Sequence, residues 1–215
     1  AISTSSPSAP SNLSSSPQLT KKYKGQVMNF LASEETLSKY PSEFVEKNKA
    51  RLATIIEYIK GDPENPSDYW IDLGLVKKTF DNFIGARDAW EYAKLINPQN
   101  AVAYYNLGNI YGMYLGDFKL ADKNFVQAIQ LNPYSDYGYL GLAEFYKNFY
   151  KDNYDLVDEV LLRGLQSIPN DPNLILNLAF YYKEINDKEN AILYFEKFLK
   201  LPDITGEQQG LIEAE

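Results

Sequence analysis

Cysteine and histidine are both missing from this chain of 215 residues. Their absence excludes disulfides, thiolate nucleophiles, imidazole-based triads and the common zinc ligand sets together. Long hydrophobic runs are missing as well. No stretch approaches the roughly 18 consecutive apolar residues of a spanning helix, so no membrane span is expected. Basic charge is in deficit: 21 Lys and Arg stand against 29 Asp and Glu, a formal charge of −8. A surface of that sign repels phosphate backbones, and no nucleic acid partner is expected. What remains is 45% hydrophobic residues, enough at this length to bury a core and make a globular chain.

The first 18 residues, AISTSSPSAPSNLSSSPQ, lack any charged side chain and hold eight serines, one threonine and three prolines. Such a segment cannot bury enough apolar surface to fold alone and reads as an arm or linker. Two forms stay open, a plain flexible linker and a glycosylated stalk, because Asn12-Leu13-Ser14 fits the N-glycosylation acceptor pattern. The chain opens on Ala1 rather than Met, so an upstream segment is expected to have been removed, a secretory signal being one candidate. An extracellular or cell-envelope location follows as an expectation, with a cytoplasmic one as the alternative.

Against these absences stands internal repetition. Trp70, Tyr104, Tyr139 and Ile175 are each followed three residues later by a leucine, Leu73, Leu107, Leu142 and Leu178, and then by a small residue, Gly74, Gly108, Ala143 and Ala179. Second halves run Ala86, Ala121, Val157 and Ala191, then four residues on Trp90, Phe125, Leu161 and Phe195, then Ala93, Ala128, Gly164 and the outlier Phe198. Pro98, Pro133, Pro169 and Pro202 close the units. The leucines recur at steps of 34, 35 and 36 residues, which is the period of helix-turn-helix repeats. Each unit is therefore predicted to be an antiparallel helix pair. The small residue lets the second helix approach the first, the bulky one fills the space so opened, and proline stops the second helix.

At these residues the chain resembles the tetratricopeptide repeat family, whose pattern runs W-x2-L-G-x2-Y, then A-x3-F, then A and P. The resemblance spans residues 67–204 as four units, 67–100, 101–135, 136–171 and 172–204, and unit two carries it best. It implies an all-α fold, a right-handed superhelical solenoid. Unit one departs at Lys77, where the family has Tyr. Units two and three carry one and two extra residues, expected in the turns around Gly116-Asp117 and Asp152-Asn153. Phe198 in unit four suggests that the last helix packs against something different and leaves an apolar face at the end of the array.

Upstream, residues 19–62 show helical spacing with a stripe of Leu52, Ile55, Ile56 and Ile59, read as a helical hairpin that is a degenerate repeat or a cap. Residues 205–215 form a polar tail or the start of a capping helix. The acidic run of Asp152, Asp155, Asp158 and Glu159 lacks the D-x-D-x-D-G spacing of a calcium loop and reads as a turn leading into an acidic helix N-terminus. Glu34 and Glu35 are adjacent, about 100° apart on a helix, and form no catalytic pair. No catalytic set, metal set or cofactor site is expected.

Eighteen tyrosines and eleven phenylalanines invite a stacking role, yet Tyr104, Tyr111, Tyr139, Tyr146 and Phe125 fall on repeat positions and are assigned to packing. In the resembled family the first helices line a concave groove that binds polypeptide segments. The inward positions would be Ile71, Leu75 and Lys78; Tyr105, Asn109 and Met113; Tyr137, Leu140, Glu144 and Lys147; and Asn173, Leu176, Phe180 and Lys183. Family members that grip a chaperone's C-terminal carboxylate use Lys and Asn where unit one here has Ile71 and Leu75. The expected function is a non-enzymatic scaffold binding protein segments, including segments of another copy of itself. The alternative is a structural subunit that stacks end to end into a filament, and part of the groove could be covered by the chain's own N-terminal hairpin.

Overall fold

The computed structural model describes residues 28–61, 66–202 and 210. The serine-rich arm with Asn12, the first residues of the expected hairpin and all of the polar tail except residue 210 lie outside them. Among the described residues there are ten α-helices, one π-helical turn and one 3-10 segment, with no strand. A single-turn helix α1 (Glu34–Leu37) and the long α2 (Ser42–Gly61) precede four helix pairs: α3 (Pro66–Thr79) with α4 (Phe83–Ile96), α5 (Ala101–Asn109) with α6 (Phe118–Leu131), α7 (Asp136–Asn148) with α8 (Val157–Ser167), and α9 (Pro172–Glu184) with α10 (Lys188–Leu199).

Polar caps start most of these helices. Side chains of Asn82, Asn100, Asp117, Asp171 and Asp187 each accept a backbone N–H of the first turn that has no partner within the helix. Within a pair, helix approach is set by size, as the repeat pattern requires. A Cβ placed on Gly74 would lie 2.1 Å from the Trp90 indole nitrogen, and one on Gly108 would lie 2.8 Å from the Phe125 ring. The indole also donates from Nε1 to the Ile71 carbonyl at 3.1 Å. Leu73, Leu107, Leu142 and Leu178 are all buried between the two rows of helices.

Extra residues are absorbed in two ways. Unit two takes its additional residue into the end of its first helix as a π-helical turn, Ile110–Leu115, closed by left-handed Gly116 (φ 71°) and by Asp117 N–H donating to the Tyr111 carbonyl at 2.9 Å. Unit three places a 3-10 segment, Lys151–Leu156, ahead of α8. In unit three Asp158 is occupied within the fold, since it accepts from Tyr182.

Successive units are stapled by a recurring bond from the signature tyrosine to a carboxylate on the preceding second helix. Tyr111 donates to Glu91 at 3.0 Å, Tyr146 to Asp122, and Tyr182 to Asp158 at 3.2 Å. Unit one has Lys77 at this position. Its side chain is fully covered, and Nζ donates to the Phe30 carbonyl at 2.5 Å, in the segment leading into α1. The departure from the repeat pattern thus preserves the register of the staple and changes its partner.

The end of the array differs from the expectation placed on Phe198. That ring is buried, within the core cluster that also holds Tyr182, Ala191 and Tyr194. The apolar side chains that α10 leaves outside are Ile192, 60% exposed, and Leu193, 43% exposed.

Candidate functional site

The inward stripe of each first helix is built by helical spacing: positions three, four and seven apart share a face. On α7 this aligns Tyr137, Leu140, Glu144 and Lys147, and on α9 Asn173, Leu176, Phe180 and Lys183. Tyr137 is 67% exposed, whereas Leu140 and Leu176 are half-buried and Phe180 stands edge-on to Phe195 with ring centres 5.3 Å apart. Lys147 pairs with Glu184, which also accepts from Tyr154 at 2.9 Å, and the bond from Lys147 is the main reason that the Glu184 carboxyl titrates below its usual range. Asn173 donates to Asp136 at 2.9 Å, tying unit four to unit three.

Two expected positions sit in the interior instead. Ile71 packs in the core, its carbonyl accepting from the Trp90 indole, and Asn109 is buried with its amide donating to the Tyr105 carbonyl at 3.2 Å. Leu75 is exposed, Met113 half-buried, and the Lys78 ammonium lies 5.2 Å from the Tyr114 ring centre, with burial lowering its pKa.

Two recesses open along this surface. The first, about 310 Å³, lies among α3, α5, α6 and α7 and is lined by Leu75, Val102, Tyr105, Asn106, Ala128 and Tyr137 with four other residues. Tyr105 and Tyr137 meet edge-on across it, ring centres 6.3 Å apart. The second, about 410 Å³, lies between units three and four and joins Leu140, Glu144, Lys147, Asn148, Asn177 and Phe180. No described residue of 28–61 lines either recess. Glu144 is exposed, and among the described residues it takes part in no hydrogen bond or ion pair.

Asn106 was not among the expected positions. Its Nδ2 is buried and has no hydrogen-bond partner among the described residues, although a side chain 9% exposed ordinarily has one. Other helical asparagines of the fold solve this by donating back to the carbonyl four residues earlier: Asn48 to Phe44, Asn109 to Tyr105, Asn124 to Leu120 and Asn177 to Asn173, at 2.7–3.2 Å. Asn106 is one of the residues that line the first recess. The available sequence signal was its place four residues after Val102 and one before Leu107, which sets it between the groove stripe and the core stripe.

The tetratricopeptide repeat family model matches residues 101–135 and 172–203, which are units two and four. No curated protein matches the chain. Among solved structures, a crystal structure of MamA is similar with a TM-score of 0.60 at 18% identity, covering 80% of this chain and 95% of that one. A second MamA crystal structure gives 0.57 at 19% identity over 86% and 92%, and a MamA double mutant 0.56 at 14% over 79% and 88%. At such identities the likeness shows the fold, a right-handed superhelical solenoid of tetratricopeptide-type helix pairs.

Proposed function

We propose that this protein is a non-enzymatic scaffold that binds polypeptide segments on the face formed by the first helices of its repeats. The observation that carries this reading is the first recess. It exposes aromatic and aliphatic side chains, Tyr137 most of all, on a chain of formal charge −8. Exposed apolar surface gathered in one concavity and rimmed by polar groups is what a partner's side chains bury against. The repeat fold holds the stripe rigid, so binding orders only the partner.

The test replaces Tyr105 and Leu140 by Lys in one protein. Capture of partners from the native host is expected to be lost while the far-ultraviolet circular dichroism spectrum stays helical. Unchanged capture would remove the groove from the function.

A second reading, self-association end to end, is favoured by Ile192 and Leu193, which stand exposed on α10, the second helix of unit four. On this reading Ile192→Lys lowers the mass seen by light scattering at high protein concentration. A wild-type protein that stays monomeric there excludes it.

A further inference from the structure

We propose that the groove selects a basic, apolar-anchored segment: one aliphatic or aromatic side chain in the first recess and a Lys or Arg about three residues away on Glu144. This deepens the scaffold reading and rests on it. Three observations lead to it.

First, the recess between Tyr105 and Tyr137 presents carbon on most sides, so the group that enters it is apolar. Second, the Asn106 amide at its wall is a buried donor with no partner among the described residues. Such a donor costs the free fold stability unless something bound accepts its proton. An extended peptide whose side chain fills the recess brings its own carbonyl oxygens alongside, and one of these accepts from Nδ2 once the Asn106 amide, which has no accessible surface in the free fold, turns toward the recess. A purely apolar ligand would leave the amide unmet.

Third, the sign of the second recess fixes the neighbouring residue. Lys147, the cation nearest along α7, is held by Glu184, and Lys151, whose charge also acts on that carboxylate, lies over the Tyr154 ring with Nζ donating to the Lys147 carbonyl. Glu144 carries an exposed carboxylate with no ion pair among the described residues. It attracts a cation, and the formal charge of −8 adds a long-range pull of the same sign. Spacing follows from helix geometry. Tyr137 and Glu144 lie on one face of α7 seven positions apart, about 10 Å at 1.5 Å per residue. An extended chain advances about 3.3 Å per residue, so about three residues bridge the two recesses.

The test is a selection from a random peptide library displayed on phage, with the full chain as bait in wild-type, Asn106→Ala, Glu144→Lys and Tyr105→Lys/Leu140→Lys forms. Wild type is expected to enrich peptides with a large apolar residue and a Lys or Arg about three positions from it. Glu144→Lys should instead enrich Asp or Glu at that position. Asn106→Ala should bind the wild-type peptides about tenfold more weakly yet melt no lower than wild type, since it removes an unmet buried donor. A lower melting temperature with unchanged affinity would show a structural role for Asn106 and overturn its part. Peptides that fail on the doubly substituted groove but carry no basic residue, or ignore Glu144→Lys, overturn the inference and leave the groove reading standing. Peptides that bind that groove-blocked form as well as wild type, or no enrichment at all, remove both.

Discussion

Lys77 Nζ donates to the carbonyl oxygen of Phe30 across 47 residues of chain, inside a fully covered site. The same N-terminal strap is gripped a second time by Asn82, whose Nδ2 donates to the Leu31 carbonyl at 2.9 Å. These bonds fasten residues 28–33 to the first repeat at the position where later repeats hold one another through tyrosine.

Burial lowers the Lys77 pKa to about 8 from 10.5, partly opposed by the Asp88 charge. A folded pKa below the unfolded one means that the unfolded chain binds more protons between those two values, so stability rises with pH across that window. It is lost again as pH falls through about 8. Urea unfolding at several pH values should therefore show a wild-type stability that gains on Lys77→Met between about pH 8 and 10.5. A constant difference between the two proteins would contradict this.

Asn82 does two things at once: its Oδ1 caps α4 by accepting Gly85 N–H at 2.9 Å while its amide holds Leu31. Asn82→Ala should cost about 2 kcal/mol, more than a cap alone. Asn82→Asp keeps the cap and loses the strap, and should fall between. Chemical denaturation of the three proteins orders them.

The tyrosine staples predict an alkaline limit. For Tyr111, Tyr146 and Tyr182, burial first and the adjacent carboxylate second raise the phenol pKa above 10.0. Their contribution is complete below the unfolded value and fades as pH climbs beyond it, opposite in sign to Lys77. Tyr146→Phe and Tyr182→Phe should each cost roughly 1–2 kcal/mol near neutrality and lessen the loss of stability above about pH 10. Melting followed by circular dichroism at neutral and alkaline pH checks both parts.

Gly74 tests the size rule. An added Cβ would overlap the Trp90 indole, so Gly74→Ala should destabilise by about 1–3 kcal/mol despite alanine's better helix propensity. Gly61, with nothing near its would-be Cβ, should tolerate alanine, and the pair of unfolding curves separates packing from propensity.

The sequence by itself determined the repeat. Alternation of small and bulky side chains at a fixed period acts between residues one or two helical turns apart or on adjoining helices, so Leu73, Gly74 and Trp90 announced their contacts before any coordinates. The groove stripe on α7 was legible for the same reason, because helical spacing alone aligns Tyr137, Leu140, Glu144 and Lys147. Only the tertiary structure decided the rest. Lys77 looked like a lapse from the pattern until its partner appeared 47 residues away, and Phe198 looked like an outward face until the core closed over it. Asn106 is indistinguishable in sequence from asparagines that bond back to their own helix. Its missing partner, and hence the recess it serves, depends on which units stack beside it, a long-range packing outcome that local periodicity does not encode.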